Sequence, residues 1–221
     1  MTQDDPRIDV NELMKELPDH CHDIELISRG KRGVIFKASS RGREVAIKMA
    51  HPSSKAHNAI LHEARSLERV NKLGLGPELI ESDESYVMME YVPGRLIGEL
   101  FSDKTVTADT MRTVLKSVID QLCTLDKNGI NKQELTNPYK HIIIKEDFEP
   151  VLIDFERARI TLRPSNLTQF SQYLTGSAIT VELDAKGILP EKERFYKLMR
   201  EYHQAGAEEK EAMKEAIKSL L

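Results

Sequence analysis

Cysteine is scarce in this chain and does not come in pairs. Cys21 and Cys123 are the only two in 221 residues, and neither lies in a C-x-x-C motif. That leaves no disulfide framework and no thiolate metal site to read. No apolar run approaches the roughly 18 residues that span a bilayer, which argues against a helical membrane anchor. The polar, acidic stretch from Met1 to Asn11 is the opposite of a secretory leader. An excess of one charge is also lacking. Lys and Arg number 32 against 36 Asp and Glu, a net charge of −4, so nothing signals bulk DNA or membrane binding. Repeats and low-complexity segments are absent. These absences imply a cytoplasmic, reducing setting. The length suits one large domain or two small lobes with a real core.

What is present is an ordered series of short elements. Leu13, Met14 and Leu17 recur at helical spacing over 9–17, and Pro18 ends that helix. Strands are predicted at 24–27, 34–38 and 44–49, the last two joined by a turn over 39–43. A helix over 57–72 carries Ile60, Leu61, Ala64, Leu67 and Val70 on one side, and Gly74-Leu75-Gly76-Pro77 stops it. Two further strands fall at 79–80 and 86–89. Pro93-Gly94 breaks the pattern and divides the chain into domains 1–92 and 93–221. Beyond it, 96–101 and 108–127 are helical. The second has a wide apolar stripe of Met111, Val114, Leu115, Val118, Ile119 and Leu122. Strands at 141–144 and 151–153 form a hairpin through 145–150. The remainder, from about 166, is helical. Met213, Ile217, Leu220 and Leu221 give the last helix an apolar face, and Glu211 and Lys214 are spaced to pair. The fold class expected is α+β.

Several residues sit where packing alone would not put them. Gly30 and Gly33, in Ser28-Arg29-Gly30-Lys31-Arg32-Gly33, lack the Cβ that would keep a backbone away from phosphate oxygens. A plain hairpin turn is the alternative. Lys48 ends the apolar run Val45-Ala46-Ile47, and period-two alternation puts it on one face with Ala46. Glu63 lies three residues after Ile60 and four before Leu67, inside the apolar stripe, where a lone carboxylate is costly and wants a cation. Glu68 is offset toward the flank. Asp154 ends the apolar strand Val151-Leu152-Ile153 and has the same need. His20-Cys21-His22 has no partner at ligand spacing and is read as a loop. Lys31, Arg32, Arg41 and Arg43 are turn residues, mostly solvated, the first two placed to touch an anion.

In this order, Gly30 to Gly33, Val45 to Lys48, Glu63, Met89-Glu90-Tyr91-Val92 and Asp154-Phe155 resemble the protein kinase superfamily. The likeness is greatest to its small atypical branch: the RIO-type kinases, the KEOPS-complex kinase and related prokaryotic Ser/Thr kinases. It runs from about residue 22 to 160. It implies a two-lobed kinase-like fold, an antiparallel N-lobe sheet with one main helix and a reduced helical C-lobe. It also implies ATP and Mg²⁺ as cofactors. Ile35 and Ala46 would cover the adenine, Met89 would back it, and the Glu90 carbonyl and Val92 amide would bond its edge. Ile143 would complete the nucleotide-binding set. Lys48, held by Glu63, would grip the phosphates, and Asp154 would hold the metal.

The departures from that pattern lie in the chemistry. Ser28 replaces the first glycine of the loop. Glu156 stands where glycine follows Asp-Phe. Gly129-Ile130-Asn131-Lys132-Gln133-Glu134-Leu135 parallels Gly-Ile-Val-His-Arg-Asp-Leu, so Glu134 takes the place of the catalytic aspartate. His141 falls at the metal-binding asparagine. Five residues before it stands Thr136, which cannot be a carboxylate base. Asn137 is a further amide able to replace that asparagine, and Lys140 could neutralise a transferred phosphoryl group. The resemblance implies an atypical Ser/Thr protein kinase acting on a protein or RNA-associated acceptor, with no membrane partner. Two other classes stay open: a nucleotide-binding pseudokinase serving as a regulatory or assembly subunit, and an ATPase or small-molecule kinase.

Overall fold

Three antiparallel strands come first in the sheet, β1 (Cys21–Arg29), β2 (Gly33–Ser40) and β3 (Arg43–Ala50). The structure is a computed structural model and describes residues 10–30, 33–50, 57–176 and 179–221. Lys31 and Arg32 lie outside the described residues. The strand expected at 24–27 is longer than its apolar core, because Cys21 and His22 gain ladder partners in Ser40 and Ser39. Those two residues are therefore strand, not loop. The turn expected over 39–43 contracts to Arg41-Gly42, with φ of 50° and 79°. Two left-handed residues make the tight turn whose twist matches the flanking strands.

A helix lies on each face of this sheet. Val34, Phe36, Ala38, Val45, Ile47, Met49 and Met88 project from one face and cluster with Leu13 and Leu17, so α1 (Val10–Lys15) closes that side. Phe36 and Ile47 are fully buried, each worth about 1.5–3 kcal/mol of transfer free energy. Lys48 alternates to the opposite face. There α2 (His57–Asn71) packs against β3 and against β4 (Leu79–Ser82) and β5 (Tyr86–Glu90). The strand order is β1-β2-β3-β5-β4. Asn71 ends α2 by stapling the following turn. Its amide donates to the Leu75 and Pro77 carbonyls at 3.0 and 2.9 Å, and its oxygen accepts from the Leu79 amide at 2.8 Å.

The second unit comprises Pro93–Asp154 and Ala158–Leu221, while Phe155–Arg157 pack with the first. It opens with β6 (Arg95–Leu96), so the helix expected from 96 begins one residue later as α3 (Ile97–Ser102). The long helix α4 (Ala108–Lys127) is capped by Thr107, whose hydroxyl accepts the Thr110 amide at 3.1 Å, and Gly129 at φ 70° ends its trailing turn. Then come β7 (Ile130–Asn131), a 3-10 turn at Pro138–Lys140, and the hairpin β8 (Ile142–Ile144) and β9 (Pro150–Leu152). His141 thus precedes the strand it was expected to start. β10 (Arg159–Ile160) returns to pair with β7. Among the described residues, helices α5 (Asn166–Thr175), α6 (Thr180–Ala185), α7 (Lys192–Gln204) and α8 (Ala207–Lys218) follow. Ile217 of α8 is fully buried, and Lys214 meets Glu211 at 2.5 Å. The fold is α+β, an antiparallel five-stranded sheet followed by a mostly helical region. Among the described residues no helix is long and apolar enough to cross a membrane.

Candidate functional site

In the first unit, Lys48 sits between two carboxylates. Its Nζ lies 2.7 Å from Glu63 Oε2 and 3.1 Å from Glu156 Oε2. The Glu63 and Glu156 side chains are only 2% and 6% exposed, so both charges are satisfied mainly inside the protein. Spacing on α2 explains Glu63: it shares the buried face with Ile60 and Leu67, while Glu68 is exposed. Ile35 stands opposite Lys48 across the β2–β3 ladder, and Ala46 stands between Lys37 and Met89. Met89 and Val92 are buried. The Glu90 amide donates to the Glu78 carbonyl at 2.8 Å, and its carboxylate accepts the Glu78 amide at 3.2 Å. The Glu90 side chain therefore has a structural task in tying down β4.

The two glycines of the loop differ. A Cβ on Gly33 would fall 2.1 Å from the Met49 carbonyl oxygen, so close strand approach alone demands glycine there. Among the described residues, a Cβ on Gly30 would meet nothing nearer than 3.8 Å. The Gly30 amide donates to the Gly33 carbonyl at 2.9 Å.

In the second unit, Glu134, His141 and Asp154 converge. One potential ligand atom from each lies within 4.8 Å of the other two. His141 Nδ1 is 3.7 Å from Asp154 Oδ2. Gln133, Glu134 and Asp154 all take left-handed backbone, with φ of 67°, 58° and 62°. For residues with a Cβ this costs on the order of 1–2 kcal/mol each, and such strain persists only where surrounding structure enforces it. Thr136, Asn137 and Lys140 are exposed. Ile143 is half-buried in β8, its Cγ2 where a Cβ on Gly94 would come within 2.8 Å.

The enforcing structure is a buried polar clamp that sequence reasoning missed. Asn166, at the start of α5, donates its amide to Asp126 Oδ1 at 2.7 Å and to the Ile130 carbonyl at 2.6 Å, and accepts the Lys132 amide at 2.7 Å. Asp126 also accepts from the Asn166 and Leu167 backbone amides and from the Tyr202 hydroxyl. Burial pushes the Asp126 carboxyl up, against the pull of these donors. On the far side of Gln133-Glu134, the Leu135 amide donates to Gln169 at 3.4 Å. Helix α5 thus grips the strained dipeptide from both flanks. Lys132, 1% exposed, extends its Nζ to the Asp154 carbonyl at 3.1 Å and links this loop to the metal-ligand candidate. The available signal was polarity in apolar company: Asp126 lies one turn beyond Leu122, on the same buried face of α4, and Asn166 heads a helix with a buried apolar face.

No protein-family model matches the chain. Over 147 residues it is 22% identical to a Bacillus subtilis (strain 168) protein named "Putative serine/threonine-protein kinase YrzF", covering 66% of this chain and 65% of that one. Over 177 residues it is 28% identical to the cell surface receptor daf-4 of Caenorhabditis elegans, covering 69% of this chain and 23% of the receptor. These likenesses support a protein-kinase-like superfamily. The chain spans slightly under two thirds of the first relative and about a quarter of the second.

Proposed function

We propose that this chain is a nucleotide-dependent, divalent-cation-dependent phosphotransferase of the atypical Ser/Thr kinase type, nearest the RIO-like branch. The observation that carries the reading is the buried Lys48–Glu63 pair at 2.7 Å. A cation held on an otherwise apolar strand by a carboxylate of the next helix is the arrangement that positions ATP phosphates in kinases. In this reading Lys48 grips the α- and β-phosphates, and Ile35, Ala46, Met89 and Val92 contact the base. Asp154 and His141 hold the cation, which neutralises charge on the phosphates when bound. Glu134 has two carboxylate oxygens: one could face the cation, while the other orients the acceptor hydroxyl and takes its proton as the hydroxyl oxygen bonds to the γ-phosphorus and ADP departs.

A pseudokinase is the second reading, and Glu156 favours it, because its carboxylate occupies a position on Lys48 that phosphate would need. Transfer from γ-labelled ATP to the protein itself or to a generic protein acceptor separates the two. Wild type should transfer label, and Lys48→Ala and Glu134→Gln should each reduce it by at least about 100-fold. Full transfer by Lys48→Ala would overturn the kinase reading. ATP binding without transfer in wild type would establish the pseudokinase.

A further inference from the structure

We infer that Glu134, His141 and Asp154 form a binding site for a divalent first-row transition ion, with Mn²⁺ as the test ion, and that the site prefers it to Mg²⁺. The inference rests on the proposed function in placing a cation here, but the choice of ion comes from the ligand set. Mg²⁺ is a hard ion that takes oxygen ligands and gives up water reluctantly. An imidazole nitrogen gains it little. Manganese and the later first-row ions accept carboxylate oxygen and imidazole nitrogen together, and affinity for nitrogen rises along the series. An aspartate, a glutamate and a histidine are a donor set of that kind.

The geometry agrees. The 3.7 Å between His141 Nδ1 and Asp154 Oδ2 is too long for a hydrogen bond. It is within reach of a single ion, since ligand bonds of about 2.1 Å span up to about 4.2 Å. The widest pair in the cluster, within 4.8 Å, needs to close by only about 0.6 Å. Nδ1, the nitrogen facing Asp154, is shielded from solvent. Two bonds hold the ligands in register. The Ile153 amide donates to the His141 carbonyl at 3.0 Å, and the Lys132 ammonium donates to the Asp154 carbonyl at 3.1 Å. The cluster therefore combines three chain segments, and only one of its three donors is a ligand that distinguishes the two ions.

The test uses the full chain, stripped of metal. Titration calorimetry with MnCl₂ and with MgCl₂ gives both affinities for wild type, His141→Asn and His141→Ala. Pulsed electron paramagnetic resonance of the Mn²⁺-loaded wild type looks for hyperfine coupling to a histidine nitrogen, and needs no variant to fold. We expect nitrogen coupling in wild type. We also expect Mn²⁺ affinity to drop at least about tenfold in His141→Asn, with Mg²⁺ affinity changed far less. Absent coupling, no Mn²⁺ binding, or an equal loss for both ions would overturn the inference. Phosphoryl transfer running at full rate on Mg²⁺ without any such preference would sink this inference and leave the proposed function standing. Nitrogen-ligated Mn²⁺ without any phosphoryl transfer would do the reverse.

Discussion

If Lys48 grips ATP phosphates as proposed, Glu156→Gln should tighten ATP binding. Lys48 Nζ is shared between Glu63 at 2.7 Å and Glu156 at 3.1 Å, so two negative charges surround one positive charge before any phosphate arrives. An incoming triphosphate must displace the Glu156 carboxylate or tolerate it. A unit charge about 6 Å from a phosphate oxygen, at an effective dielectric constant of about 40, contributes about 1.4 kcal/mol of repulsion. That is about tenfold in Kd. Glutamine keeps the shape and a neutral acceptor for Lys48 while removing the charge. The assay is calorimetric titration of ATP into wild type and variant, once in chelator and once with saturating divalent cation. The variant should bind about tenfold more tightly in chelator, with a smaller gain when cation screens the phosphates. Unchanged or weaker binding in chelator would refute the competition. Binding weakened only with cation present would make Glu156 a metal-supporting residue.

Three further outcomes follow from the second unit. Gln133→Gly should relieve left-handed strain at φ 67°, stabilising the protein by about 1 kcal/mol and raising Tm by roughly 2–4 °C in scanning calorimetry; an unchanged Tm would show the strain is absent. Asn166→Ala should cost about 2–4 kcal/mol in a denaturant titration, because Asp126, the Ile130 carbonyl and the Lys132 amide all lose a buried partner; a loss below about 0.5 kcal/mol would refute the clamp. Burial pushes the Cys123 thiol from 9.0 up to about 11, so the unfolded chain releases this proton first. Its contribution is complete below pH 9 and is lost as pH rises through 11, by up to about 3 kcal/mol. Cys123→Ala should flatten that slope in melts over this range, and an unaltered slope would contradict it.

Local periodicity made much of the architecture legible. Apolar alternation marks β2 and β3, the stripe marks α4 with its observed bounds, and three-and-four spacing puts Glu63 on the buried face of α2. Features set by distant partners were not legible. The two-residue strands β7 and β10 exist only because they pair with each other, and neither has a pattern of its own. Gly33 suggests close approach of a phosphate, yet the Met49 carbonyl already excludes a side chain there. Glu156 is a charged residue in a short polar stretch, and only the folded chain reveals that its side chain turns onto Lys48. His20-Cys21-His22 lacked ligand spacing, which said nothing about the strand pairing that takes in its last two residues.

Residues 155–165 are all that separate Asp154 from α5, and they are fastened repeatedly. The Thr161 amide bonds the Gly129 carbonyl at 2.8 Å, β10 pairs with β7, and the Ser165 amide bonds Asn131 at 3.1 Å. A tether this short gains little entropy by coming loose. The stretch between Asp154 and α5 thus carries its order within its own bonds, with no need of an added group to confer it.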